Sequence, residues 1–174
     1  QLYWDMADLL IASEAELYAA ADVGPGQVWR EVRVTDRVQV SPDTIALTVD
    51  AVDGDLPRFR PGQYISLQVP LADGARQIRQ YSLTGSPAES RWRFSVKLAG
   101  EVSAHLHEHV FEGDLLDVST PFGDLVLPDD DAPLLLASAG IGCTPVIGLL
   151  TALSEKRDTR PVTVLHADRS RDRQ

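Results

Sequence analysis

The sequence predicts a mixed fold: one α-helix, then a six-stranded antiparallel β-barrel, then the opening of an α/β lobe. Three observations carry this prediction. Residues 2–21 contain no proline or glycine and set Tyr3, Ala7, Leu10, Leu17 and Ala21 on one stripe at spacings of four and three. Residues 29–127 break into short runs bounded by Gly, Pro, Asp or Ser, several of them alternating apolar with polar. From Leu134 the pattern changes to a continuous apolar strand, a Gly-rich turn, a helix and a second strand, which is a βαβ unit.

The elements follow in order. In the first helix Glu14 falls within the apolar stripe, either as an edge glutamate reaching solvent or as a carboxylate aimed into a pocket. Gly24-Pro25-Gly26 ends that segment. Strands are expected at Glu31–Val38, Thr44–Val49, Tyr64–Val69, Arg79–Leu83, Arg91–Leu98 and Asp114–Ser119. Ile45, Leu47 and Val49 form one inward face and Ile65, Leu67 and Val69 another. Six such strands in about 100 residues make a closed or nearly closed barrel. A short helix from Ser103 to His109, with Ser103 as its N-cap, interrupts it. Pro128-Asp129-Asp130-Asp131-Ala132-Pro133 reads as a solvated linker. Beyond it, Leu134–Ala137 is expected to be a strand buried on both faces, followed by a helix from Pro145 to Lys156 and a strand at Val162–His166, with a right-handed crossover. One crossover does not bury a sheet on both faces, so the lobe is expected to be cut short at Gln174.

Composition narrows the function. The chain has 174 residues, 44% of them apolar, and its 26 acidic and 16 basic side chains give a net charge of −10. An apolar fraction of that size supports a sizeable core. The acidic balance argues against a nucleic-acid partner, which wants a basic face. One cysteine, Cys143, excludes a disulfide framework and fits a reducing cytoplasm. No run approaches the ~20 apolar residues of a membrane span, and the first residues lack the basic start of a signal peptide.

Four motifs point to a site. Ser138-Ala139-Gly140-Ile141-Gly142-Cys143-Thr144-Pro145 lies between a strand and a helix, where a phosphate-binding turn belongs. Gly140 and Gly142 let the backbone approach an anion, Thr144 suits an N-cap, and Pro145 sits where a missing N–H costs nothing. An ordinary strand-to-helix turn accounts for it equally well, since Pro145 stands where the dinucleotide fingerprint has its third glycine. In Arg79-Gln80-Tyr81-Ser82, Arg79 and Tyr81 share one face, with a guanidinium for phosphate and a ring for stacking, and Ser82 adds a donor. A plain barrel strand with a surface arginine is the alternative. Pro61-Gly62-Gln63-Tyr64 is a turn that delivers Tyr64 either to the core or to a ring contact. Gly100-Glu101-Val102-Ser103 starts the short helix and offers either a second phosphate site or a plain cap. His105, His107 and His109 crowd together, but no third ligand follows at a metal-binding spacing, so they read as polar helix surface and no metal site is expected. Cys143 has no evident base partner, and no Ser/His/Asp arrangement follows from order or spacing.

These motifs occur in an order that resembles the ferredoxin–NADP reductase superfamily. With Leu9-Leu10-Ile11, Glu14-Ala15-Glu16-Leu17-Tyr18, Gly26, Trp29 and Leu106-His107 added, the chain resembles the reductase half of the flavohemoglobins, the nitric oxide dioxygenases. The resemblance implies a globin helix remnant at 1–22, a linker at 23–30, a FAD-binding barrel at 31–131 and the first part of an NAD(P)-binding lobe at 132–174. It implies that Arg79 binds the FAD phosphate region, that Tyr81 stacks on the isoalloxazine and that Ser82 sits near flavin N5, these last two being the residues at the reacting ring. Gln80 and Tyr64 would be further FAD contacts, and Val102 and Ser103 would bring donors to the pyrophosphate. Gly140, Ile141, Gly142, Cys143, Thr144 and Pro145 would hold the phosphates of NADH or NADPH, with Arg169 and Arg171 placed near an adenosine 2′-phosphate. Glu14 would match the carboxylate behind the haem-ligating histidine. Electrons would pass from NAD(P)H through FAD to haem in a globin domain, which with its histidine would lie almost wholly outside these residues. A reductase component of an oxygenase system and a flavin-binding module without turnover are the competing readings.

Overall fold

The computed structural model describes residues 29–70 and 76–168. The expected first helix with Glu14, the linker up to residue 28, and Arg169 and Arg171 lie outside the described residues.

Alternation builds the barrel. Strands β1 (Trp29–Ser41), β2 (Thr44–Ala51), β3 (Tyr64–Pro70), β4 (Arg76–Ser82), β5 (Trp92–Lys97) and β6 (Leu115–Ser119) form one antiparallel sheet in the order β4-β3-β6-β1-β2-β5. Val32 and Val34, Ile45, Leu47 and Val49, Ile65, Leu67 and Val69, Trp92, Phe94 and Val96, and Val118 point inward into a single buried cluster. Each such side chain contributes about 1.5–3 kcal/mol by leaving water. The Trp92 indole satisfies its buried N–H by donating to the Pro57 carbonyl at 3.2 Å.

Two differences from expectation have a common cause, which is pairing. β1 runs five residues longer than Glu31–Val38 because β6 holds its first half while β2 runs along most of its length, with register shifts at Val34/Asp36 and Gln39/Ser41 that bend it round the barrel. β4 begins at Arg76 instead of Arg79 because β3 pairs with it from Tyr64–Ser82 through to Pro70–Arg76. The two outer strands of the sheet, β4 and β5, meet only just past the end of β4. There Leu83 bridges Phe94, and the Thr84 N–H donates to the Arg93 carbonyl at 2.8 Å.

Helix α1 (Glu101–His109) inserts Val102 and Leu106 into the barrel core, and Val110 follows them. It starts two residues before the expected Ser103. Gly100 is the N-cap and Ser103 sits a turn further on.

In the lobe, β7 (Leu134–Ala139) and β8 (Val162–Ala167) pair in parallel and are joined by a 3-10 turn (Gly140–Gly142) and helix α2 (Cys143–Glu155). The expectation that Leu134–Ala137 is buried on both faces is not met, since Leu135 is 65% exposed and every residue of β8 is exposed. The reason is coverage: α2 packs along one side of β7, and no described element packs on the side carrying Leu135, Ala137 and Leu165. Helix α2 also seats against the barrel. A Cβ at Gly148 would lie 2.5 Å from the Leu83 carbonyl oxygen, so only glycine permits this backbone approach.

Two stability measurements check this arrangement by urea unfolding. Phe94→Ala, which empties part of the core where the barrel closes, is expected to cost about 3–5 kcal/mol. Gly148→Ala forces α2 off Leu83 and is expected to cost about 1–3 kcal/mol.

Candidate functional site

Because β4 and β5 touch only near Leu83 and Phe94, the sheet gapes between them toward α1. A cleft of about 290 Å³ opens there, lined by Arg79, Gln80, Tyr81, Lys97, Ala99 and the Gly100–Ser103 turn. It unites two motifs that are separate in the chain, the β4 set and the start of α1.

Register explains how an arginine comes to line it. Arg79 pairs opposite Leu67 and Tyr81 opposite Ile65, both of which point into the core. Arg79 and Tyr81 therefore share the inward side of β4, as expected from their spacing, but at the stretch where that side looks into the gap. Tyr81 rests on the Phe94 ring at a centroid distance of 5.6 Å. Burial pushes its phenol up to about 12, with the nearby Arg79 guanidinium pulling the other way. Arg79 is exposed, its two terminal nitrogens donating to the Ile78 carbonyl at 2.8 Å and to Gln77 Oε1 at 2.7 Å. Gln77 in turn donates to Glu101 Oε2 at 3.2 Å, linking β4 to the first residue of α1.

The α1 side is pre-arranged by Ser103. Its hydroxyl accepts from the N–H groups of Ala99 and Gly100, each at 2.9 Å, and donates to the Gly100 carbonyl at 2.8 Å. This corrects the expected cap: the hydroxyl is buried and its proton is spent on Gly100, so it fixes the turn instead of facing a ligand. What the turn presents are the first-turn N–H groups of α1, including those of Val102 and Ser103, which have no intrahelical acceptor. Lys97, which sequence reasoning did not single out as a site residue, adds a second cation beside Arg79 and is tethered to Asp43 at 3.7 Å. Its signal was its place at the end of the outward Arg93-Ser95-Lys97 face of β5.

Ser82 and Tyr64 face one another across the β3–β4 ladder, just beyond this cleft. Tyr64 is fixed by a two-way backbone bridge to Phe122 at 2.8 and 2.9 Å, and its ring lies against Gly123.

The Gly140–Pro145 turn lies elsewhere but is coupled to the same strand. Gly148 touches the residue that follows Ser82, five residues and about 7.5 Å along α2 from its first residue, Cys143. Gly140 adopts φ +50, and no atom lies within 4 Å of a Cβ built at Gly140 or Gly142, so the backbone here stands open to a ligand. Thr144 is not the N-cap. The 3-10 turn runs directly into the helix from Gly142, and the buried Thr144 hydroxyl donates back to the Ile141 carbonyl at 3.0 Å. Pro145 remains in the first turn, where its missing N–H has no intrahelical acceptor.

A Ser–His–Asp contact does exist, although neither order nor spacing revealed it. Parallel register sets Ser138 beside His166, with Ser138 Oγ 2.9 Å from Nδ1, and His166 Nε2 lies 3.8 Å from Asp168 Oδ2. It ties the ends of β7 and β8 together next to the Gly140–Pro145 turn.

Two measurements test this geometry. Ser103→Ala removes three hydrogen bonds at a buried turn and is expected to cost about 1–3 kcal/mol in unfolding free energy. An ultraviolet titration should show a phenol ionising near 12, two units above the ordinary 10.0. The folded chain holds that proton more tightly than the unfolded one. The stability contributed by the neutral ring is therefore intact below pH 10 and is lost as pH rises through 12. Tyr81→Phe should remove both the late absorbance change and that alkaline loss.

Comparison with known proteins agrees with the fold. Residues 31–127 match the family described as the oxidoreductase FAD-binding domain. The flavohemoprotein of Deinococcus radiodurans is 41% identical over 172 residues, covering 95% of this chain and 42% of that protein. The flavohemoprotein of Pseudomonas aeruginosa is 40% identical over 173 residues, covering 96% and 43%. The chain thus spans less than half the length of these curated relatives. Among solved structures, the flavohem-like FAD/NAD-binding domain of nitric oxide dioxygenase from Vibrio cholerae superposes with a TM-score of 0.78 at 31% identity, covering 83% of this chain and 65% of that one. Flavohemoglobin from Malassezia yamatoensis, solved with bound FAD and heme, superposes with a TM-score of 0.79 at 32% identity, covering 98% and 45%. With the family model matching more than half of its residues, the chain belongs to the oxidoreductase FAD-binding domain family.

Proposed function

We propose that this chain is the FAD-binding reductase module of a flavohemoglobin-like nitric oxide dioxygenase, taking electrons from NADH or NADPH and passing them to haem in a linked globin domain. The observation that carries the reading is the cleft between β4 and α1, where two cations, an aromatic ring and open helix N–H groups meet. Its residues fit the cofactor. Arg79 and Lys97 supply charge for the pyrophosphate, the Val102 and Ser103 N–H groups supply neutral donors, and Tyr81 supplies an apolar ring edge held by Phe94. Gln80 in the cleft, with Ser82 and Tyr64 beside it, would complete the flavin contacts.

FAD supplies the redox chemistry, accepting hydride and releasing single electrons. The chain's own residues do the positioning. Tyr81 is neutral at physiological pH like any phenol, and burial, which pushes it up to about 12, keeps it so well into alkaline solution, so its ring brings no charge to the flavin. Ser103 holds the α1 turn ready, so no ordering of that turn is needed when the phosphates arrive. The open Gly140–Gly142 backbone and the start of α2, residues Cys143, Thr144 and Pro145, would take the nicotinamide cofactor's phosphates. The contact of Gly148 with Leu83 keeps that turn in fixed relation to Ser82.

The identity gap favours this reading over an oxygenase reductase component. Among solved structures, flavohemoglobin from Malassezia yamatoensis covers 98% of this chain at 32% identity, whereas phthalate dioxygenase reductase covers 84% at 22% and shows the shared fold. The boundaries 23–30, 31–131 and 132–174 divide linker, flavin barrel and nucleotide lobe on this reading. No helix among the described residues is long and apolar enough to cross a membrane, and the single cysteine suits a cytoplasmic location.

A visible spectrum of the purified chain with added FAD, then NADH under argon, tests the proposal. Bound-flavin absorbance that bleaches with NADH is the expected result, and absence of flavin binding at excess FAD overturns it. Arg79→Ala and Tyr81→Ala should each weaken FAD binding about tenfold or more by flavin fluorescence titration, the worth of one charge-assisted contact or one stacked ring. Unchanged affinity in both would remove the site from β4.

A further inference from the structure

The far end of α1 carries a feature that flavin binding does not use. His105 and His109 lie one helical turn apart, with ring centroids 5.1 Å apart and ring planes at 58°. Both line a pocket of about 310 Å³, whose other titratable residues are Glu31, Asp114 and Asp117, with no lysine or arginine in its wall. His107 does not belong to this pair, since its Nε2 is bonded to the Val96 carbonyl at 2.9 Å.

We propose that His105 and His109 form a binding site for a divalent transition-metal ion of the zinc class at the C-terminal end of α1. Three physical arguments converge. Two imidazoles held at ~2.1 Å by one tetrahedral ion have ring centroids roughly 5 Å apart, which is the separation found here. The pocket wall is acidic: Glu31, Asp114 and Asp117 line it with the pair, and the neighbouring guanidinium groups are engaged, Arg76 with Asp117 at 3.7 Å, Arg37 with the His107 carbonyl at 2.8 Å and Arg33 with the Gly113 carbonyl at 2.9 Å. The site also sits at the C-terminal turn, where the helix dipole favours a cation. Imidazole ligands select zinc, nickel or copper over magnesium and calcium. Among the described residues no third His, Cys, Asp or Glu converges with the pair, so water fills the remaining positions. Such a site is open and exchanges its ion readily. Asp114 has one oxygen engaged by the Phe111 N–H at 2.8 Å and acts through the pocket field.

The experiment titrates the whole chain with Zn2+ by calorimetry, with Mg2+ as the comparison, in the wild type and in His105→Asn, His109→Asn, Cys143→Ser and His166→Asn variants. One Zn2+ per chain is expected, lost in the first two variants and retained in the last two, with Mg2+ giving no heat. A second measurement needs no variant. Diethyl pyrocarbonate modification read by mass spectrometry should show Zn2+ protecting His105 and His109 while His166 stays reactive. Zn2+ binding that survives both histidine substitutions, no Zn2+ binding by the wild type, or protection confined to other residues would each overturn the proposal.

Discussion

Among the described residues the barrel closes at a single bridge, Leu83 to Phe94, and the cleft between β4 and α1 depends on that incomplete seam. A fully laddered sheet would carry the inward side of β4 into the core along its whole length, where Arg79 would be an unpaired buried charge. Because β5 draws away after the bridge, the same side of β4 instead opens onto the start of α1. Tyr81 sits at the turning point, half in the core against Phe94 and half in the cleft. β3 thus fills the core with Ile65 and Leu67, while Arg79 and Tyr81 facing them on β4 line the cleft.

Much of the fold was legible because alternation is a direct imprint of burial. Ile45-Leu47-Val49 and Ile65-Leu67-Val69 announce strands whichever partners they take. Pairing is not imprinted in this way, which is why the ends of β1 and β4 and the order of the sheet emerged only in three dimensions. The two misread caps share one cause. Ser103 and Thr144 are both good N-cap residues by type, yet each lies inside its helix with the hydroxyl bonded back to a carbonyl three residues earlier. The N-cap positions fall instead on Gly100, which is extended, and on Gly142, the right-handed last residue of the 3-10 turn. Apolar content also misled at Leu134–Ala137, since hydrophobicity reports what a strand would bury and not whether anything covers it.

The candidate site was legible as a list of residues but not as an arrangement. Residue types in Arg79–Ser82 and Gly140–Pro145 pointed to phosphate and ring recognition from the chain alone. Their relation rests on a backbone-to-backbone contact between α2 and Leu83 that no side-chain pattern encodes, because its sign is the absence of a side chain at Gly148. Lys97 was hidden for a related reason: a lysine ending an outward strand face looks like any solvated lysine until α1 is seen folding back over it.

The side of the two-stranded sheet that no described residue covers has a consequence for how the chain behaves in solution. Leu135 and Leu165, 65% and 57% exposed, lie on a surface that water solvates poorly, and β7 and β8 offer open edges beside it. Opposing association is a net charge of −10. Dissolved salt weakens that repulsion and leaves the apolar attraction intact or stronger. Ionic strength therefore sets the concentration at which these molecules stay apart.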